Sequence, residues 1–140
     1  MKQQTRIVAR AVITKGDQVL LCYMKKSQHY FFPGGGVEFQ EGAVNTLRRE
    51  MQEELGANML TAKFIGFVEN HFTDGETLCD EPNLVFAVTI DTDNPISKED
   101  HISFSWIKIN DIAKENILPV TLKLAVAEWL NNGQMFWVGK

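Results

Sequence analysis

The stretch from Gly35 to Ala57, GGVEFQEGAVNTLRREMQEELGA, decides the fold. From Ala43 to Leu55 its apolar residues recur at spacings of three and four, which is the period of one face of a helix. These residues are Val44, Leu47, Met51 and Leu55. Gly56 then supplies a natural helix terminator. The sequence therefore predicts an amphipathic helix over residues 43–55 that packs its apolar stripe on a core.

The same helix carries a cluster of carboxylates on another face. Glu50, Glu53 and Glu54 lie three and four positions apart, a quarter turn or more from the apolar stripe. Like charges at such spacings cost a few tenths of a kcal/mol per pair. Arg49 is placed to reach Glu53 at the i,i+4 spacing, and a hard divalent cation would neutralise the cluster further. Mg²⁺ is the expected ion, with Mn²⁺ as a substitute.

The segment before the helix consists of three glycines, Gly34 to Gly36. Glycine lets backbone groups approach a ligand or metal closely and point amides or carbonyls at it. Glu41 lies near the predicted helix start, where a carboxylate can accept backbone N–H bonds and meet the helix dipole favourably. A purely structural role for Glu41 is the alternative to a functional one.

Outward from this stretch the chain indicates strands. Residues 7–13 and 19–23 alternate around Gly16-Asp17, which predicts a β-hairpin, and Tyr30 to Phe32 form a short strand. Further strands are predicted at residues 63–72, 84–90 and 104–109, with a turn at residues 73–75. A second amphipathic helix follows Pro119 and ends at Asn132-Gly133, with Leu122, Val126, Trp129 and Leu130 on its core face. The expected architecture is a mixed sheet with helices packed on its two faces.

Composition limits the classes of function. At 140 residues, the chain suits one domain spanning residues 1–140. A net charge of −4 and a pI near 5.3 argue against a protein that coats nucleic acid. No stretch approaches the roughly 20 apolar residues of a membrane span. Cys22 and Cys79 lack metal-ligand spacing, so we expect both to be reduced, in a cytoplasmic protein.

The complete pattern resembles the Nudix box, a glycine, glutamate and arginine signature with fixed spacing. All seven fixed positions agree, and a chance match at a given start is on the order of one in 10⁸ or rarer. The matching residues are Gly35, Glu41, Arg49, Glu50, Met51, Glu53, Glu54, Gly56 and Ala57. Ala57 is small where a larger aliphatic is usual, which weakens local packing more than chemistry.

The resemblance implies an α/β (α+β) fold, an α/β/α sandwich with a mixed sheet between helices. It also implies a hydrolase of phosphoanhydride bonds that cleaves the diphosphate of a nucleoside diphosphate derivative. The metal ligands would be Glu50, Glu53, Glu54 and the Gly35 carbonyl, with Arg49 orienting the carboxylates. As catalytic residues the resemblance implies Glu50, Glu53 and Arg49. The water's proton would go to Glu50, to Glu53 or to a later carboxylate, for which Glu81, Glu99 and Asp100 are the candidates.

Several alternatives stay open at this stage. The same box fits a catalytically inactive nucleotide sensor, and it fits a diphosphatase for prenyl or inositol phosphates. Substrate-binding residues are unknown, since Tyr30, Phe31, Phe72 and Trp106 could stack on a base or belong to the core. His71 could face the substrate, and residues 92–101 form a predicted exposed loop that could contact it. Homodimers are common among proteins of this resemblance, so a homodimer is a further option.

Overall fold

A computed structural model describes residues 1–139 as two β-sheets flanked by two long helices. The helices are α1 (Ala43–Leu55) and α2 (Val120–Asn132), with a short 3₁₀ helix at Ile109–Lys114. The strands are β1 (Lys2–Thr5), β2 (Val8–Val12), β3 (Thr14–Lys15), β4 (Gln18–Met24), β5 (His29–Phe31), β6 (Gly34–Gly36), β7 (Met59–Asp74), β8 (Thr77–Ile90), β9 (Ile102–Lys108) and β10 (Phe136–Val138).

The first sheet is mixed and has the order β10-β7-β8-β2-β6, with β1 also paired to β8. β2 runs parallel to β8, whereas β7 and β8 form an antiparallel ribbon. The second sheet is antiparallel and contains β3, β4 and β5, with β9 on the other side of β4. The predicted mixed α/β architecture is confirmed, and the second sheet adds to it.

The two helices cover different parts of the core. α1 packs Leu47, Met51 and Leu55 against an apolar cluster that includes Ala9 and Phe86. α2 buries Leu122 and Val126 in a second cluster with Phe32, Ile65 and Val85, and Trp129 is only partly buried beside it. Both helices end as predicted, at Gly56 and Gly133 in the left-handed conformation. No helix within residues 1–139 is long and apolar enough to cross a membrane.

The predicted apolar stripe of α1 is wrong at one position. Val44 is 37% exposed, while Leu47, Met51 and Leu55 are almost fully buried. Val44 lies in the first turn of the helix, which carries none of the residues of the buried cluster. The stripe therefore begins one turn later than the spacing suggested.

The predicted hairpin around Gly16 is only partly correct. Thr14 and Lys15 do pair with Val19 and Gln18 around Gly16, whose φ is +59°. The preceding strand β2, however, belongs to the first sheet and pairs with β6 and β8. Four of its five residues are buried, as in a central strand covered on both faces. The chain thus changes sheets around Ile13.

The β7–β8 ribbon is longer than the apolar pattern indicated. β7 continues into the predicted turn and ends at Asp74, and β8 begins at Thr77. The outer part of the ribbon, together with β1, has mostly exposed side chains. Backbone pairing holds these strands together, so hydrophobic alternation gave little signal of them.

Candidate active site

The glycine strand β6 lies between β2 and the carboxylates of α1. Gly34 has a φ of +140°, which L side chains rarely adopt, and a Cβ there would collide with the Ala9 carbonyl oxygen. A Cβ on Gly35 would come 2.5 Å from Oε1 of Glu50. Gly34 is thus required by its backbone conformation and close packing, whereas a side chain at Gly35 would displace the Glu50 carboxylate. The Glu50 carboxylate consequently lies directly against the backbone of Gly35.

Arg49 is the centre of an ion-pair network at the start of the site. Its Nε and Nη2 donate to the two carboxylate oxygens of Glu41 at 3.0 and 2.9 Å, and Nη2 also donates to the Gly36 carbonyl at 3.2 Å. Thr46 Oγ1 donates to Glu41 Oε1 at 2.6 Å. Bonding to Arg49, and then to Thr46, lowers the pKa of Glu41 to about 2. Glu41 therefore anchors the arginine, while the helix N-cap is Gly42.

Arg49 also reaches two of the predicted metal ligands. Nη1 donates to Glu50 Oε1 at 2.8 Å and to Glu53 Oε2 at 3.5 Å. The predicted i,i+4 contact with Glu53 is present, but it is the longest of these bonds. The Glu53 side chain is 56% exposed. Arg49 thus connects the structural carboxylate Glu41 to Glu50 and Glu53.

Glu54 differs from the other box glutamates because it is buried. It is 7% exposed, and Oε1 accepts a hydrogen bond from the Gly34 N–H at 3.2 Å. Burial, followed by repulsion from Glu50, raises the pKa of Glu54 to about 8. Two carboxylates share one small space here, and a cation between them would relieve the repulsion.

The donor set fits a hard divalent cation. Glu50 and Glu54 supply carboxylate oxygens next to Gly35 and Gly34 of the glycine strand, and Glu53 extends from the same helix into solvent. Across residues 1–139, no three acidic, histidine or cysteine side chains converge in a finished cation site. Arg49 holds Glu53 by an ion pair at 3.5 Å.

A cavity of about 560 Å³ is lined by residues of β2, β4, β5, β7 and β8 and by the segment that leads into α2. Its walls are mostly apolar, with a few polar groups, as in many sites for small molecules. The lining residues are Arg10, Met24, His29, Phe31, Asn70, Phe72, Glu81, Leu118, Pro119 and Val120. Arg10 connects the cavity to the glycine strand, since it pairs with Gly34 across the β2–β6 register. A larger depression of about 750 Å³ lies on the ribbon, and neither this depression nor the cavity is lined by a residue of the Nudix box.

A family comparison decides the identity of the fold. Residues 4–127 match the model of the NUDIX domain. The chain belongs to the Nudix family. The Nudix chain is 27% identical over 135 residues to Nucleoside triphosphatase NudI of Escherichia fergusonii, which covers 88% of this chain and 94% of that protein. The expectation of a Nudix hydrolase is confirmed.

Two solved structures share the Nudix fold. A MutT protein from Bacillus halodurans superposes with a TM-score of 0.80 at 19% identity, covering 94% of this chain and 86% of that one. A MutT protein from Methanosarcina mazei gives 0.76 at 21% identity, with coverages of 94% and 99%. At these identities the likeness concerns the fold.

The structure separates the later carboxylate candidates. Glu81 lines the cavity. Glu99 pairs with His101 at 3.3 Å, and the backbone carbonyl of Asp100 accepts a bond from Lys25 Nζ at 2.9 Å. Of the three, only Glu81 lines the 560 Å³ cavity.

The aromatic candidates separate in the same way. Phe31 and Phe72 line the cavity, whereas Tyr30 packs on Tyr23 with ring centroids 4.8 Å apart. Trp106 donates to the Asp93 carbonyl at 3.1 Å, away from the cavity. His71 bonds to Asp80 at 2.6 Å and lines the ribbon depression.

Sequence analysis missed three polar residues of the cavity, Arg10, His29 and Asn70. For Arg10 a signal existed, because a charged residue interrupts the otherwise apolar run from Val8 to Val12. A charge in a central strand is unusual unless it has a partner or a ligand. Asn70 had no comparable signal, since it lies among the polar residues of the ribbon.

Proposed function

We propose that this Nudix protein is a divalent-metal-dependent pyrophosphohydrolase that cleaves the diphosphate linkage of a nucleoside diphosphate derivative. The observation that carries the proposal is the Glu54 carboxylate. It is buried against the glycine strand next to Glu50, and Arg10, which lies opposite Gly34 of that strand, lines a cavity of about 560 Å³. A buried carboxylate pair is costly unless a cation joins it.

Nudix enzymes generally use a divalent metal ion. We assign Glu50, Glu53, Glu54 and the Gly35 carbonyl as its ligands, and Mg²⁺ as the ion, with Mn²⁺ as a substitute. Such an ion would stabilise charge on the attacked phosphoryl group and lower the pKa of a bound water.

The protein's own groups have distinct tasks in this proposal. Arg49, held by Glu41, keeps Glu50 and Glu53 oriented toward the glycine strand. For the water's proton, Glu50 and Glu53 remain candidates within the box, and the cavity position of Glu81 favours it over Glu99 and Asp100.

The cavity supports a substrate with a flat, partly polar group. Phe31 and Phe72 offer aromatic faces, and Asn70 and Glu81 offer hydrogen-bonding groups to a ligand between them. A nucleobase combines an aromatic face with donors and acceptors at its edge. The relative from Escherichia fergusonii, named a nucleoside triphosphatase, agrees with this substrate class.

The test is turnover of a panel containing nucleoside triphosphates, nucleotide sugars, ADP-ribose, dinucleoside polyphosphates, and prenyl and inositol diphosphates, with Mg²⁺ and with EDTA. We expect Mg²⁺-dependent release of a nucleoside monophosphate or of phosphate, lost by a factor of about 10³ in Glu54→Gln. Glu76→Gln, in the exposed turn of the ribbon, is the matched control and should retain full turnover.

Tight binding of a nucleotide without turnover would contradict this proposal and support the catalytically inactive nucleotide sensor. Turnover of prenyl or inositol diphosphates alone would contradict the proposed substrate class.

A further inference from the structure

Two arginines flank the glycine strand on the side away from α1. Arg10 lies opposite Gly34 in the β2–β6 register. Arg6 packs on Gly36, where an added Cβ would come 2.8 Å from its Nε and 3.0 Å from its Nη2. Both guanidinium groups therefore adjoin the backbone segment that also packs against Glu50 and Glu54.

Neither of these arginines has an ion-pair partner. Among residues 1–139, no carboxylate oxygen lies within 4.0 Å of a guanidinium nitrogen of Arg6 or Arg10. Arg10 Nη1 donates to the Phe32 carbonyl at 3.0 Å, and its guanidinium lies over the Phe31 ring at 5.9 Å. Arg49, by contrast, is surrounded by carboxylates. The cation of the Nudix box is thus already engaged, while Arg10 keeps most of its donors available.

The position of Arg10 suits an anion that spans two parts of the site. Arg10 lines the 560 Å³ cavity and is partly removed from water, and this burial lowers its pKa. A half-buried guanidinium with unused donors favours a ligand that supplies negative oxygens. Arg6 lines a smaller pocket that shares Phe72 and Glu81 with the main cavity. The two arginines thus line neighbouring pockets that have two residues in common.

We propose that Arg10, assisted by Arg6, binds the non-bridging oxygens of the phosphoryl group that connects the cavity-bound part of the substrate to the anhydride. Guanidinium matches phosphate because its fork of donors contacts two oxygens at once. The identity of the ligand as a diphosphate rests on the proposed function. A role limited to neutralising Glu81 is less consistent with the geometry, because no ion pair joins Arg10 to Glu81.

The test separates phosphate binding from binding of the base. Affinities for the α,β-methylene analogues of ATP and GTP, and for adenosine and guanosine, are measured calorimetrically in EDTA. The variants are Arg10→Met, Arg10→Lys and Arg6→Met. Arg48→Met is the matched control, since Arg48 is exposed on α1 and bonds to Asn45 at 2.6 Å. Thermal unfolding of each variant verifies that it is folded.

We expect Arg10→Met to weaken the better-bound analogue by roughly 10- to 100-fold, with nucleoside affinity changed by less than about threefold. Arg10→Lys should recover part of the loss, Arg6→Met should lose less than Arg10→Met, and Arg48→Met should match the unchanged chain. Equal weakening of analogue and nucleoside, an unchanged analogue affinity in folded Arg10→Met, or no analogue binding by the unchanged chain would each overturn the inference.

Turnover with Mg²⁺ is measured in parallel, so that the two proposals fail separately. Absence of turnover in the unchanged chain, with the Arg10 effect on binding intact, removes the proposed function and keeps the arginine assignment. In the opposite case, turnover with unaltered kcat and KM in Arg10→Met removes the assignment alone. A rise in KM for the nucleotide with a smaller change in kcat is the expected kinetic result.

Discussion

Two carboxylates, one just before the first turn of α1 and one in its last turn, lie in opposite environments. At the beginning, Glu41 accepts three side-chain hydrogen bonds, two from Arg49 and one from Thr46, and its pKa falls to about 2. Near the end, Glu54 has one backbone donor, is buried beside Glu50, and its pKa rises to about 8. One carboxylate is stabilised as an anion by the protein, and the other is not.

This difference indicates that Glu41 and Glu54 have different roles within one motif. A carboxylate whose charge is compensated by neighbouring side chains can hold other groups in place, as Glu41 holds Arg49. A carboxylate whose charge the fold leaves uncompensated favours the binding of a positively charged ligand. Substitutions at Gly35, Glu41 and Glu54 test this comparison, and their expected effects decrease in that order.

Gly35→Ala tests whether the position of Glu50 depends on the bare glycine backbone. The new Cβ would lie 2.5 Å from Glu50 Oε1, and the carboxylate, at the free end of a flexible side chain, would move aside. We expect turnover to fall by up to about 100-fold with little loss of stability, because small misplacements of reacting groups are costly. Gly42→Ala is the control, since a Cβ there meets nothing within 4 Å. Unchanged turnover in Gly35→Ala would show that turnover does not depend on the position of Glu50.

Glu41→Gln removes the charge that anchors Arg49. We expect turnover to decrease by about 10- to 100-fold, as for other residues that orient metal ligands. The melting temperature in EDTA should decrease as well, because Arg49 loses its principal partner. The stabilising effect of Glu41 is present above its ordinary pKa near 4.5 and disappears as the pH falls toward 2. The difference in melting temperature between the variant and the unchanged chain should therefore vanish in acid.

Glu54 should produce the opposite pH dependence in the metal-free protein. Its carboxyl keeps a proton up to about pH 8 when folded and loses it near the ordinary value of 4.5 when unfolded. Since the folded state then binds more protons, stability should decline as the pH rises from 4.5 to 8 and level off above. Urea unfolding in EDTA at several pH values, compared between the unchanged chain and Glu54→Gln, measures this. An equal decline of stability in both proteins would show that groups other than Glu54 cause it.

The helix and its glycine terminator were predictable because their signals are local. The spacing of Leu47, Met51 and Leu55 and the position of Gly56 each require only a few neighbouring residues. The Nudix box gave the fold in the same way. That residues 1–140 form one domain, and the roles assigned to the box residues, stay predictions.

What sequence could not supply was determined by distant contacts. Val44 continues the apolar stripe, yet it is 37% exposed, because spacing alone does not show where the stripe meets the core. Ile7 to Ile13 looked like half of a hairpin because local alternation does not say which sheet a strand joins. Arg10 meets the Phe32 carbonyl and the cavity only once β2, β6 and α2 are assembled.

The parallel pairing of β2 with β8 has a consequence for the order of folding. Val8 pairs with Asn83, and α1 with its carboxylates lies entirely inside the chain segment that this pairing closes. α1 and the β7–β8 ribbon use local contacts and can form early, whereas closing so long a segment is slow. The cavity exists only after β2 has joined β8, because Arg10 lies on β2 and Glu81 on β8. Catalytic competence should therefore appear with the slowest step of refolding, after most of the helical signal has returned.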